Sequence, residues 1–152
     1  MYQLITKALI PAPLTEVWDF FSSPQNLQKI TPPGMGFKIL VGGKGKMYPG
    51  QMIAYTVRPL AGIPITWITE ITHVQEGRYF VDEQRKGPYA IWHHEHHFAE
   101  VEGGVEMTDI VSYTLPLGWL GSLAHLLFVK RQLKTIFDYR SEVIEKFFPG
   151  SR

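Results

Sequence analysis

Cysteine is missing altogether from the 152-residue chain. A disulfide framework and a thiol nucleophile are therefore excluded, and the absence agrees with a reducing compartment. An excess of one charge is missing as well. Fifteen Lys and Arg stand against 14 Asp and Glu, for a formal net charge of +1. No long basic run occurs, so nucleic acid is not an expected partner. Long apolar runs are also lacking. The most apolar stretch, residues 115–129, falls short of the ~20 residues a bilayer span requires and is broken by His125 and glycines, so stable membrane insertion is not expected. Residues 2–10 mix polar and apolar side chains, unlike a signal peptide. Internal repeats and low-complexity tails are absent too. These gaps point to a cytoplasmic protein, expected as a single domain over residues 1–152. A chain of this length buries a sizeable core without disulfides or metal.

The most informative stretch present is the last one. Apolar residues recur at helical spacing from 120 to 148: Leu120, Leu123 and Leu127, then Leu133, Ile136, Phe137, Val143, Ile144 and Phe147. Lys130, Arg131, Lys134, Glu142 and Glu145 are left for the wet side. At ~1.5 Å per residue this helix is about 40 Å long, whereas a domain of this size has a radius of gyration of roughly 15 Å. The helix thus crosses the whole domain and needs a broad apolar surface opposite it. Strand patterns at 2–10, 37–41, 51–58, 65–74, 78–85, 89–101 and 105–115 supply one, with two short helices after the first, at 14–22 and, as one more turn, at 24–30. Short connections make the sheet antiparallel, and a flanking terminal helix makes the class α+β, in two layers. The Gly-rich connection at 42–50 lacks the full phosphate-loop pattern and reads as a loop.

The hairpin at 89–115 carries the unusual residues, WHHEHHF. Alternation in a strand groups Trp92, His94, His96 and Phe98 on one face and His93, Glu95 and His97 on the other. The first set holds the large apolar residues and is placed inward. With Gly103-Gly104 as a two-residue turn, Phe98 opposes Asp109, His96 opposes Val111 and His94 opposes Tyr113. Met107, Asp109, Val111, Tyr113 and Leu115 then also face inward. This apolar face with a polar cluster has three readings: a satisfied buried network, polar anchors in a ligand pocket, or a metal site with His94, His96 and Asp109 as ligands. No further metal ligand stands out, so no metal is expected, and no cofactor motif is seen. Trp67, Thr69 and Ile71 are further inward candidates. So are Phe80, Asp82 and Gln84, although Tyr79 and Val81 make that strand's orientation ambiguous. Leu123, Leu127, Phe128 and Leu133 are assigned to the core facing any cavity.

Three pieces carry a resemblance: IPAPLTEVWDFFSSPQNL, FVDEQRKGPYAIWHHEHHF, and VSYTLPLG before a helix containing IFDYR. With the order of elements, they make the whole chain resemble the START-related superfamily, also called Bet v 1-like or polyketide cyclase/dehydrase-like. Within it the chain is most similar to small bacterial stand-alone domains with ligand-binding or cell-division-inhibitor-like labels. The resemblance implies a helix-grip fold, a curved antiparallel sheet of about seven strands around the terminal helix with a cavity between them. It implies a hydrophobic or amphipathic ligand, such as a lipid, isoprenoid or polyketide, but no shared catalytic set. The expected ligand-binding residues are Trp67, Phe80, Asp82, Gln84, Trp92, His94, His96, Phe98, Asp109, Val111, Tyr113 and Leu127. The alternatives are a cyclase, dehydratase or isomerase using His94 or His96 with Asp109 and Tyr113, and a protein-interaction module. The mouth is expected between the loops at 31–36, 42–50 and 59–64. The apolar PLAGIP tip at 59–64 is a candidate for membrane contact during cargo delivery.

Overall fold

A computed structural model describes residues 1–60 and 62–152, with the side chains of Leu60 and Leu126 outside that description. Strand β1 (Tyr2–Ile10) is followed by α1 (Leu14–Phe21) and two single 3-10 turns. Strands β2 (Lys38–Val41), β3 (Gln51–Leu60), β4 (Ile63–Gln75), β5 (Tyr79–Lys86), β6 (Ile91–Val101) and β7 (Gly104–Thr114) come next. They form one antiparallel seven-stranded sheet in the order β1-β7-β6-β5-β4-β3-β2. The chain ends with α2 (Gly118–Ala124), a π turn (His125–Val129) and α3 (Lys130–Phe147). This is the helix-grip arrangement: the sheet curves around the terminal helix.

The core is divided. At one end, α1 and the last turns of α3 close on the sheet, packing Val17, Trp18 and Phe21 against Phe80, Phe98, Val143 and Ile144. A second cluster joins Phe37, just before β2, to Ile53, Tyr55 and Val57 of β3 and Ile71 of β4. A third joins Val111 and Tyr113 of β7 to Leu133 and Phe137 of α3. The space between these clusters is the cavity described below.

Two local expectations are corrected. The β6–β7 turn is Glu102-Gly103, not Gly103-Gly104, because Val101 pairs with Gly104. Phe98 therefore opposes Met107, His96 opposes Asp109, His94 opposes Val111 and Trp92 opposes Tyr113. The register moves by two residues, one full side-chain period, so every inward residue stays inward. Gly104 starts β7 with φ 143°, and a Cβ there would lie 2.1 Å from the carbonyl oxygen of Ile10. Gly104→Ala is expected to cost about 1–3 kcal/mol through this backbone clash, read as a lower denaturant midpoint.

The terminal helix departs from an unbroken stripe. Leu133, Phe137, Val143 and Ile144 are buried as its spacing predicts, but Leu123, Leu127 and Phe128 are exposed and not core. Helical spacing gives the physical reason: at about 100° per residue, Leu127 and Phe128, six and five residues before Leu133, fall roughly 120–140° off the α3 stripe, and a π turn separates the two segments. The turn is tied to the sheet through His125. Its ring stacks on Tyr2 at 3.6 Å between centroids, and its Nε2 lies 2.8 Å from the Tyr113 hydroxyl.

Candidate ligand cavity and polar cluster

Between sheet and helix lies a cavity of about 570 Å³. Its walls are mainly apolar: Ile53, Tyr55, Val57, Trp67 and Ile71 from β3 and β4, and Leu133, Ile136 and Phe137 from α3. Phe80, Asp82, Trp92, His94, His96 and Arg140 also line it. Pro88, Pro116, Leu117, Leu120 and Phe128 are its exposed lining residues, which places an opening beside the N-terminal end of the helix. The expected rim loops contribute Thr31, Met35, Met47 and Pro59. Of the apolar PLAGIP tip, the Leu60 side chain and Ala61 lie outside the described residues.

The polar residues are gathered at one part of this wall. His94 Nε2 donates to Asp109 Oδ1 at 2.9 Å, and His96 Nε2 donates to Asp82 Oδ2 at 2.8 Å. The other nitrogens face the opposite carboxylates: His94 Nδ1 is 3.5 Å from Asp82 Oδ2 and His96 Nδ1 is 3.0 Å from Asp109 Oδ1. The latter contact is close but not aligned as a hydrogen bond, which leaves His96 Nδ1 without one. The two imidazoles lie close together, 3.7 Å between centroids and tilted by 37°. Beneath them, Arg140 Nη1 sits 3.1 Å from Asp109 Oδ1, with the guanidinium over the rings of Phe21 and Phe137.

Charge balance explains the electrostatics. Two carboxylates and one guanidinium leave one negative charge, and a buried site demands its neutralisation. One imidazolium provides it. Burial alone would lower the pKa of His96, but its hydrogen bonds and attraction to Asp109 and Asp82 raise it above the ordinary value. His94 is held below that value by burial and by the charge of His96. Burial works to raise both carboxyls, yet His94 and His96 hold Asp82 low, while Arg140 and the two histidines hold Asp109 well below the usual range. Of the two rings, His96 is therefore the one disposed to carry the proton and His94 the one disposed to stay neutral.

The structure sorts the sequence candidates. Trp67, Phe80, Asp82, Trp92, His94 and His96 meet on the cavity wall. Asp109 lies behind the histidines, accepting from His94 and standing 3.0 Å from His96 Nδ1. Val111 is sealed in the core, and Phe98 packs edge-on against Trp18. Gln84 binds both backbone polar groups of Tyr89 and so staples the β5–β6 turn. Tyr113 is engaged with His125, and Leu127 points to solvent. Sequence reasoning missed Arg140, Tyr89 and the cavity role of Leu120, whereas Phe128 and Leu133, assigned to face any cavity, do line it. Arg140 had a signal: it shares the helical stripe of Leu133, Phe137 and Ile144, where a cation requires a buried partner. The atoms able to hold a metal belong to Asp82, His94 and His96, all within 4.8 Å of one another, whereas the sequence suggested Asp109 as the third. In the structure these atoms already pair with each other, and one proton balances their charge.

These features are those of a fold that holds a ligand between sheet and helix. Residues 10–137 match the family described as "Polyketide cyclase / dehydrase and lipid transport", and the chain belongs to that family. No curated protein matches it. Among solved structures it is similar to protein Ms6760 from Mycobacterium smegmatis, at 19% identity over 95% of this chain and 92% of that one, with a TM-score of 0.67. It is also similar to the di-domain ARO/CYC BexL, at 16% identity and TM-score 0.73, over 98% of this chain and 50% of BexL. Ara h 8.0201 matches at 13% identity and TM-score 0.62, over 95% of this chain and 98% of its own. At these identities the likenesses show the fold.

Proposed function

We propose that this chain binds a hydrophobic or amphipathic small molecule, lipid-, isoprenoid- or polyketide-like, in the cavity between sheet and helix. The observation that carries the reading is an apolar cavity of about 570 Å³ with one charge-balanced polar cluster in its wall, a composition suited to a ligand with a greasy body and one polar end. Asp82, His94, His96 and Arg140 hold the polar end; Trp67, Phe80 and Trp92 pack on the body. Trp67 adds a second anchor, since its indole N–H is buried without an acceptor and a ligand oxygen would satisfy it. Binding is favoured over turnover by the same geometry. Acid–base catalysis by His94 or His96 needs a ring nitrogen directed at the ligand, and all four nitrogens face carboxylates.

Native mass spectrometry of the purified protein, with solvent extraction of whatever stays bound, tests the reading. A co-purifying apolar molecule is the expected result. An empty protein is then titrated with an amphipathic fluorophore, using Trp67 and Trp92 as energy donors. Ala124→Phe, which pushes a ring into the cavity, is expected to weaken that binding by about tenfold or more, or about 1.4 kcal/mol. Neither a bound molecule nor saturable probe binding would sink the proposal.

A further inference from the structure

The helix end beside the cavity mouth is built unlike the rest of the surface. Leu117, Trp119, Leu123, Leu127 and Phe128 all stand in solvent, Leu117 and Trp119 at 75% exposure. Leu117 does so in a left-handed backbone conformation, φ 68°, the one non-glycine residue with positive φ among the described residues. That conformation strains a leucine, and the strained backbone holds the side chain outward at the mouth. Ile63, on the neighbouring β3–β4 hairpin, is also exposed. Gln132 ties that hairpin to the helix by donating to the Pro59 carbonyl.

Charge on this element is of one sign. No acidic residue occurs in the sequence between Asp109 and Asp138, while Lys130, Arg131 and Lys134 follow the apolar end on the exposed side of α3. Lys134 pairs with Asp138, one turn further on. The apolar tip with a basic collar matches a bilayer surface, in which apolar side chains enter the acyl boundary and cations remain at anionic headgroups. No described helix is long and apolar enough to cross a membrane, so contact of this kind is peripheral. Leu120 and Phe128 belong both to the exposed face and to the cavity lining. A docked helix end therefore opens the cavity toward lipid rather than water.

We infer that the N-terminal end of the terminal helix, with its basic collar, docks this protein reversibly on anionic lipid surfaces with the cavity mouth facing the bilayer. This goes beyond the binding proposal, which holds or fails independently.

The test uses the full chain with vesicles of phosphatidylcholine alone or with about one-third phosphatidylglycerol. The expected result is co-sedimentation with the anionic vesicles only, declining as salt rises. Brominated lipid should quench emission that Trp119→Ala removes. The double substitution Leu123→Glu with Leu127→Glu is expected to abolish vesicle binding. Lys130→Glu with Arg131→Glu should weaken it by about tenfold or more. All four positions are exposed, so unchanged melting curves separate these effects from misfolding. Absence of wild-type binding to anionic vesicles at low salt would overturn the inference. So would undiminished binding by the leucine variant, or a dimer in sedimentation velocity that this variant dissolves, since a second copy would then cover the face. Fluorophore binding in the cavity, measured in parallel, distinguishes failure of docking from failure of the cavity reading.

Discussion

Asp109→Ala is expected to lower stability by about 3–5 kcal/mol, a large share of the 5–15 kcal/mol that holds a typical domain together. Asp109 is buried and is the one carboxylate within reach of Arg140 among the described ion pairs. Its removal leaves a guanidinium buried between Phe21, Phe137 and Met107 with no counter-charge. His94 loses its acceptor and His96 a neighbouring carboxylate at the same time. A double-mutant cycle isolates the charge effect from loss of packing. Arg140→Met removes the stranded cation, and the remaining Asp82 and His96 still neutralise each other. The double variant is therefore expected to be more stable than the sum of the single losses predicts, by at least about 1 kcal/mol. Chemical denaturation of the four proteins measures this. Strict additivity would show that Asp109 and Arg140 do not act as a pair.

Melting temperature against pH should pass through a maximum near 6.5, the ordinary pKa common to both histidines. His96 has a raised pKa in the folded protein, so its contribution is complete below the unfolded value and is lost as pH climbs through the folded one. His94 has a lowered pKa. Its contribution is complete above the unfolded value and is lost as pH falls, because the unfolded chain takes up the proton more readily. Asp82 and Asp109, both depressed, extend the acid loss below the ordinary carboxyl range. Each group contributes a slope of up to about 1.4 kcal/mol per pH unit within its own window. Asp82→Asn removes one carboxylate and leaves Asp109 balanced by Arg140. No imidazolium is then needed, and the alkaline decline should flatten. A variant whose alkaline decline matches the wild type would refute the shared-proton assignment. Imidazole nitrogen NMR near neutral pH should show one charged ring and one neutral ring in the wild-type pair.

How far the site could be read from the chain depended on which distances local periodicity controls. Alternation placed His94 and His96 inward, and a two-residue error in the turn did not matter because it preserved the face. Asp82 was ambiguous for a tertiary reason. Phe80 and Val81 are both buried although they are adjacent, and the β4–β5 pairing carries shifts at Ile68/Thr69 and Ile71/His73 that simple alternation does not anticipate. The carboxylate expected to serve the histidines was Asp109 alone, whereas the fold places Asp82 as well as Asp109 against the paired rings.

By itself the sequence determined the α+β class, the seven strands, the terminal helix and the buried stripe of α3. Each of these follows from side-chain spacing along one element, enforced wherever apolar surface meets water. Only the tertiary structure decided the rest. The π turn at His125–Val129 lies beside the exposed Leu123, Leu127 and Phe128, and Tyr2 and Tyr113 of the sheet hold that turn through His125. The meeting of Asp82, His94, His96, Asp109 and Arg140 brings together three strands and a helix. Its protonation is a property of all five groups at once, because in a buried site it is their summed charge that must vanish.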